Sequence, residues 1–325
     1  MDTTKIKKNY WQHKLYAILF GILRIAKPLG NIEIKTGMFN FNKMEKPFRT
    51  EINQNTQEKT EYYEGFYVFT SRFVKNLLII EDYSRIEKII SFFNSKKLNS
   101  LSLDEPDSST IAINNLGFLE KFKNIEYLII GIDDDKLNLD PINSLKQLNH
   151  LSLNKEYKTP PKLSSFDNLK HLNCTYTNRK WDNLFECDKL VSLGLLKYKS
   201  ENLLNFKSLT NLKELSISTC NVQSLKGIEK CQSLKKLILA YFRNITQIEQ
   251  LPNSLKHLEL SNFPKIHNIN FARELENLIH FDIENCKEID SLKPTKQLIE
   301  LIRLRVIGNT RIKDGDYSFE RWKKN

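Results

Sequence analysis

Apolar residues recur along this chain in a fixed phrase: an aliphatic residue, two variable positions, a second aliphatic, one variable position and a third. The phrase starts ten times, at Leu98, Ile125, Leu148, Leu169, Leu190, Leu212, Leu234, Leu255, Leu278 and Leu301. Successive starts lie 27, 23, 21, 21, 22, 22, 21, 23 and 23 residues apart. Within each phrase the later apolar positions alternate with polar ones, as in Leu215-Ser-Ile217, the period-2 mark of a short strand with one buried face. A second column stands three residues before the starts and reads Phe122, Leu145, Phe166, Cys187, Leu209, Cys231, Pro252, Leu275 and Leu298. A unit of about twenty residues cannot bury two such columns alone, so neighbouring units must stack into one continuous core. The pattern predicts one strand per unit along an inner wall. Short helices, 3₁₀ turns or coil fill the far side.

The clearest unit is Leu212-Lys-Glu-Leu215-Ser-Ile217-Ser-Thr-Cys220-Asn-Val222, and Leu278 to Ile289 repeats it with Cys286 at the corresponding place. This phrase resembles the leucine-rich repeat family over roughly two-thirds of the chain. The resemblance implies an α/β solenoid: a horseshoe with parallel β-strands on the concave face and an N-terminal α+β cap. It places Cys220 and Cys286 where the family has Asn or Cys, a position that satisfies turning backbone. Phe242 and Phe263 depart from that pattern and imply a thicker core there. The family also implies protein–protein recognition.

Residues 1–97 do not follow the repeat, residues 98–312 carry it, and residues 313–325 form a C-terminal cap or tail. Near 12–26 the run Leu15 to Leu23 is apolar and is preceded by Lys5, Lys7, Lys8 and Lys14. It reads as a cap helix, as a membrane-surface contact through residues 5–27, or as an export signal; Arg24, Lys27 and the lack of a small-residue cleavage site weigh against export. Strands are expected near 62–80 and a helix over 83–94, with Ile86, Ile89, Ile90 and Phe93 on one face. Leu77 lies 21 residues before Leu98, as a degenerate first coil would have it. The polar stretch Phe48 to Glu61 is expected to be a flexible loop, and Tyr317, Phe319 and Trp322 to close the last layer.

The formal net charge is +11. Residues 1–97 carry 17 Lys+Arg and 10 Asp+Glu, a net of +7, against 33 and 29, a net of +4, in the remainder. The basic excess thus sits mainly in the cap region. No basic stripe with interleaved aromatics runs along the strands, which argues against nucleic acid as a partner. All five cysteines fall on repeat positions, as buried reduced thiols would, with no CxxC and no metal-ligand spacing. The sequence holds no phosphate-binding Gly loop, no nucleophile elbow and no zinc-protease helix, so it points to no enzyme and no cofactor.

Function is therefore sought on the wall. The outward positions fall into three columns, of which the first holds Tyr127, His150, His171, Glu214, Lys236, His257, His280 and Arg303. The middle of the wall is rich in Ser, Asn, Thr and Gly, leaving room for a partner. The C-terminal end gathers His257, Glu259, His280, Asp282, Glu284, Arg303 and Arg305. These, with His150, His171 and Lys236, are the candidate partner-binding residues, through charge-assisted hydrogen bonds. Paired imidazoles with Glu259 or Asp282 also invite a metal reading, but nothing beyond the column supports one, so no metal is assigned. The resulting expectation is a non-catalytic, cytoplasmic recognition protein whose concave face binds a folded protein, with a toxin or enzyme favoured and an antidote or immunity role. A membrane-associated or secreted adhesin and an adaptor subunit are the alternatives.

Overall fold

The computed structural model of the chain describes residues 32–36, 46–80, 82–105, 113, 115–134, 136–176 and 179–316. They belong to two compact units, residues 1–169 and residues 170–325. The expected helix at 12–26, the contact segment 5–27 and the closing residues Tyr317, Phe319 and Trp322 lie outside the described residues.

The first unit opens with antiparallel strands β1 (Ile32–Thr36), β2 (Arg49–Asn53), β3 (Lys59–Tyr63), β4 (Phe66–Thr70) and β5 (Leu77–Ile80), each paired with the next. From β5 onward the pairing is parallel, through β6 (Ser100–Leu103), β7 (Tyr127–Ile130) and β8 (His150–Leu153). Asp82 accepts the Ser84 N–H and starts a 3₁₀ turn, Tyr83–Arg85, that runs into α1 (Ile86–Ser95). Ile89, Ile90, Phe92 and Phe93 form its buried stripe. Strand β5 and α1 thus make a first coil, with an α-helix where most later coils have 3₁₀ turns. Its phase differs from the expected one. Leu78 pairs with Leu101, an offset of 23 (101 − 78), so Lys75 rather than Leu77 is the counterpart of Leu98. All four residues of β5 are buried, and a strand covered on both faces shows no alternation from which to read its phase.

The expected loop from Phe48 to Glu61 is instead largely β2 and β3, a hairpin. Its turn is closed by Asn53 N–H to Glu58 O and Gln57 N–H to Asn53 O, while Asn53 Oδ1 accepts from the N–H groups of Asn55 and Thr56. Neither strand has a buried face, so the backbone ladder and contacts such as the Arg49 guanidinium 5.1 Å above the Tyr62 ring hold it together.

The second unit stacks parallel strands β9 (His171–Thr175), β10 (Ser192–Leu196), β11 (Glu214–Cys220), β12 (Lys236–Phe242), β13 (His257–Ser261) and β14 (His280–Glu284). After the short β15 (Glu288–Ile289), β16 (Arg303–Ile307) pairs with β14, and β15 pairs with β17 (Arg311–Ile312). The register aligns equivalent apolar positions. Leu172, Leu193, Leu215, Leu237, Leu258 and Phe281 form one row, each at most 1% exposed. Burying each such side chain stabilises by about 1.5–3 kcal/mol, so the rows hold the stack. The far side carries 3₁₀ turns such as Leu204–Ser208 and Asn270–Glu274, over the buried column of Leu209, Cys231 and Leu275.

Phe242 and Phe263 are fully buried and stack at 5.1 Å with their planes 3° apart, filling space where Cys286 Sγ instead reaches the Leu260 and Glu284 carbonyls. From β10 onward, each coil turns through left-handed backbone one residue past the third wall column, at Lys197, Thr219, Tyr241, Asn262, Asn285 and Gly308, with φ between 52° and 65°. Asn and Gly adopt this conformation readily. For Lys, Thr and Tyr it costs about 1 kcal/mol.

All five cysteines are free; Cys187 is half-buried and the others are buried. Burial raises every thiol above its ordinary value, with Cys220 and Cys231 pushed up to about 11.

Candidate recognition surface

The outward columns pair across the strands as the repeat spacing predicts. In the second unit His171, Ser192, Glu214, Lys236, His257, His280 and Arg303 are consecutive register partners. So are Asn173, Gly194, Ser216, Ile238, Glu259, Asp282 and Arg305. A parallel sheet sets these neighbours about 4.8 Å apart. Among the small polar positions of the wall, Asn173, Thr175 and Ser218 are 5%, 3% and 4% exposed, whereas Ser192 and Ser216 are half-buried.

The C-terminal end of the wall is a charge network centred on Asp282, which is only 1% exposed. Arg305 Nε–H donates to its Oδ1 at 2.9 Å and Arg305 Nη2 to its Oδ2 at 3.0 Å, a bidentate pair from the next strand. Arg303 Nη2 donates to Oδ2 at 3.4 Å. The guanidinium side chains remain 43% and 35% exposed, so a buried anion holds two cations that solvent still reaches. Hydrogen bonding to Asp282 raises the Arg305 pKa further. The His257 and His280 rings meet edge-on, with centroids 5.7 Å apart. Ser261 Oγ donates to Glu284 at 3.1 Å, a partner that the sequence reading omitted although the third column places the two side by side.

Donor atoms of His257, Glu259 and Asp282 lie within 4.8 Å of one another, the geometry a metal reading requires. Both Asp282 oxygens are already bonded by arginine, however, and two adjacent positive charges oppose a cation. The chemistry of the cluster is that of a charge-assisted hydrogen-bond surface.

The remaining candidates do not join this network. Lys236 is the register neighbour of His257 but carries no ion pair among the described residues. His171 lies four strands from His257, and burial lowers its pKa. His150 belongs to the first unit, where its ring stacks on Tyr127 at 3.9 Å. That stack borders an open cleft of about 480 Å³ lined by Phe73, Lys75, Asn99, Glu126 and Asn149 among others. Among the described residues no helix is long and apolar enough to cross a membrane.

Residues 208–293 match the family model described as the endo-beta-N-acetylglucosaminidase EndoS LRR domain. An uncharacterized leucine-rich repeat-containing protein, AMV014/Q3, of Amsacta moorei entomopoxvirus is 26% identical over 248 residues. The match covers 74% of this chain and 50% of that protein, so the chain spans about half the length of this curated relative. Among solved structures, the internalin InlF of Listeria monocytogenes is similar with a TM-score of 0.48 and 20% identity, covering 71% of this chain and 70% of that one. The TLR13–ssRNA13 complex also gives 0.48, at 19% identity, covering 72% of this chain and 35% of that one. The repeated phrase, the parallel register of its strands and these sequence matches together support a leucine-rich repeat family for this chain.

Proposed function

We propose that this chain is a non-catalytic recognition protein whose C-terminal wall, on β13, β14 and β16, docks a folded protein partner. Leucine-rich repeat proteins mediate protein–protein interaction in general. The observation that carries the reading here is the Asp282 clamp: a buried carboxylate fixing two half-exposed guanidinium groups in a defined orientation. Pre-oriented arginines lose little freedom on docking and present a planar fork to partner carboxylates or carbonyls. The rigid parallel strands add the same advantage, since little backbone must order when the partner arrives. In its sharpest form the partner is a toxin or enzyme that the wall occludes, making the chain a cytoplasmic antidote.

The test is affinity capture from the source cells with quantitative mass spectrometry. Wild type is compared with a His257→Ala, Asp282→Ala, Arg303→Ala triple variant of verified fold. The reading expects one stoichiometric protein captured by wild type and lost from the variant. Equal capture by both would remove the wall from consideration. An enzyme whose activity falls on stoichiometric addition of the captured pair supports the antidote form, and unchanged activity refutes it.

A further inference from the structure

The position immediately before the first wall column is variable in the repeat phrase, yet on three consecutive coils it is lysine. The register pairs Glu214 with Lys236 and Lys236 with His257, which places Lys213, Lys235 and Lys256 side by side along the entry edge of β11, β12 and β13. All three are exposed, and none carries an ion pair among the described residues. Their backbone is pinned. The Lys213 carbonyl accepts from the N–H groups of both Lys235 and Lys236, at 2.8 and 3.0 Å, and the Lys235 carbonyl from those of Lys256 and His257, at 2.8 and 2.9 Å. The Lys256 carbonyl likewise accepts from the N–H groups of Ile279 and His280. The three Cα atoms therefore stand at the fixed pitch of the sheet.

Two positions earlier on the same coils stand the uncharged Asn211, Ser233 and Ser254, of which Asn211 and Ser254 bond backbone carbonyls. On the other side stand Glu214, Lys236 and His257, one acid against a fourth lysine. Like charges on side chains rooted about 4.8 Å apart repel one another, and an anionic partner relieves that repulsion.

We propose that Lys213, Lys235 and Lys256 form a docking row for an acidic helix of a protein partner. The pitch selects the helix. Carboxylates at i, i+4 and i+7 advance about 4.5–6 Å per step along a helix axis, matching the strand spacing of about 4.8 Å. An extended acidic peptide, with like-facing side chains about 6.6–6.8 Å apart, drifts out of step within two residues. Single-stranded nucleic acid draws on aromatic platforms beside its cations. Here the row's neighbours are Val191 and Ile279, and the exposed Tyr241 lies at the far end of β12. The inference goes beyond the wall reading, since the row shares no residue with the Asp282 network.

The test is fluorescence anisotropy in about 50 mM salt, where the Debye length exceeds 10 Å and exposed pairs are weakly screened. The probe is a labelled synthetic helix with glutamates at i, i+4 and i+7 on one face. The controls are a permuted helix of identical composition and a uridylate oligomer of equal charge. The one-faced helix is expected to bind, and the Lys213→Glu, Lys235→Glu, Lys256→Glu variant to bind it about tenfold or more weakly. That variant should instead bind the same helix carrying lysines in place of the glutamates, which a misfolded protein would not do. Reversal of the exposed far-side Lys207 to Glu should leave the probe's affinity unchanged, which ties binding to the row and not to overall charge. Absence of binding, equal binding of the permuted helix, tighter binding of the oligomer, or an affinity indifferent to the lysine reversals would each overturn the proposal.

Discussion

The Asp282 clamp makes an asymmetric prediction about stability. Asp282 is 1% exposed, whereas its partners Arg303 and Arg305 are 35% and 43% exposed on their side chains. Removing the anion and removing the cations are therefore not equivalent. In Asp282→Ala both guanidinium groups turn to water and a buried charge disappears, so the loss is a few charge-assisted hydrogen bonds offset by relieved desolvation, about 1–2 kcal/mol. In Arg303→Ala, Arg305→Ala a carboxylate stays buried without the two groups that stabilise it. Breaking a buried pair this way costs about 3–5 kcal/mol, which solvent access to the site lowers to about 2–4. Adding Asp282→Ala to the arginine pair should then restore stability. The triple variant is expected to be more stable than the double by about 1–2 kcal/mol. Hydrogen–deuterium exchange of the β14 and β16 amides reads this locally, without assuming that both units unfold together. If Asp282→Ala is the more damaging change, or the triple is no better than the double, the carboxylate is not held by these arginines and the clamp does not organise the wall.

Three further outcomes follow from other parts of the molecule. Thr219 is a β-branched residue at φ 56°, so Thr219→Gly should raise stability by about 0.5–1 kcal/mol, read by urea denaturation; a loss would mean its side-chain contacts outweigh the strain. Burial lowers the folded-state pKa of His171 below the unfolded value near 6.5, so the unfolded chain takes up the proton first. The stability this contributes is present above about pH 6.5 and is lost as pH falls below it, and His171→Gln should flatten that decline in acid denaturation curves. Alkylation near pH 8 should label Cys187 first and Cys174 last, since Cys187 alone is half-exposed and burial raises both thiols; rapid labelling of Cys174 would contradict its place in the core.

The regular part of the fold was legible because one physical rule set it. Period-2 burial fixes which side chains face the core, and equal spacing fixes which residues become neighbours, so the pairing of His280 with Arg303 follows from the repeat. Where burial is not one-sided the rule gives no signal. Strand β5 is buried on both faces and β2 and β3 on neither, which is why the first coil's phase and the 49–63 hairpin escaped. The column assignments located the Asp282 neighbourhood but not its clamp, since which arginine bonds which oxygen depends on rotamers. The lysine row was overlooked because it occupies a position the family pattern treats as free.

The central claim, that the wall around Asp282 is where a protein partner docks, is tested most directly by site-specific photocrosslinking in the source cells. A photoreactive residue is placed at Ile238 or Glu259 on the wall and, for comparison, at exposed Lys207 on the far side. The account predicts one discrete protein adduct from the two wall positions, none from position 207, and loss of the adduct when Arg303→Ala, Arg305→Ala, Asp282→Ala is combined with the probe. An adduct from position 207 alone, or wall adducts indifferent to those substitutions, would contradict it.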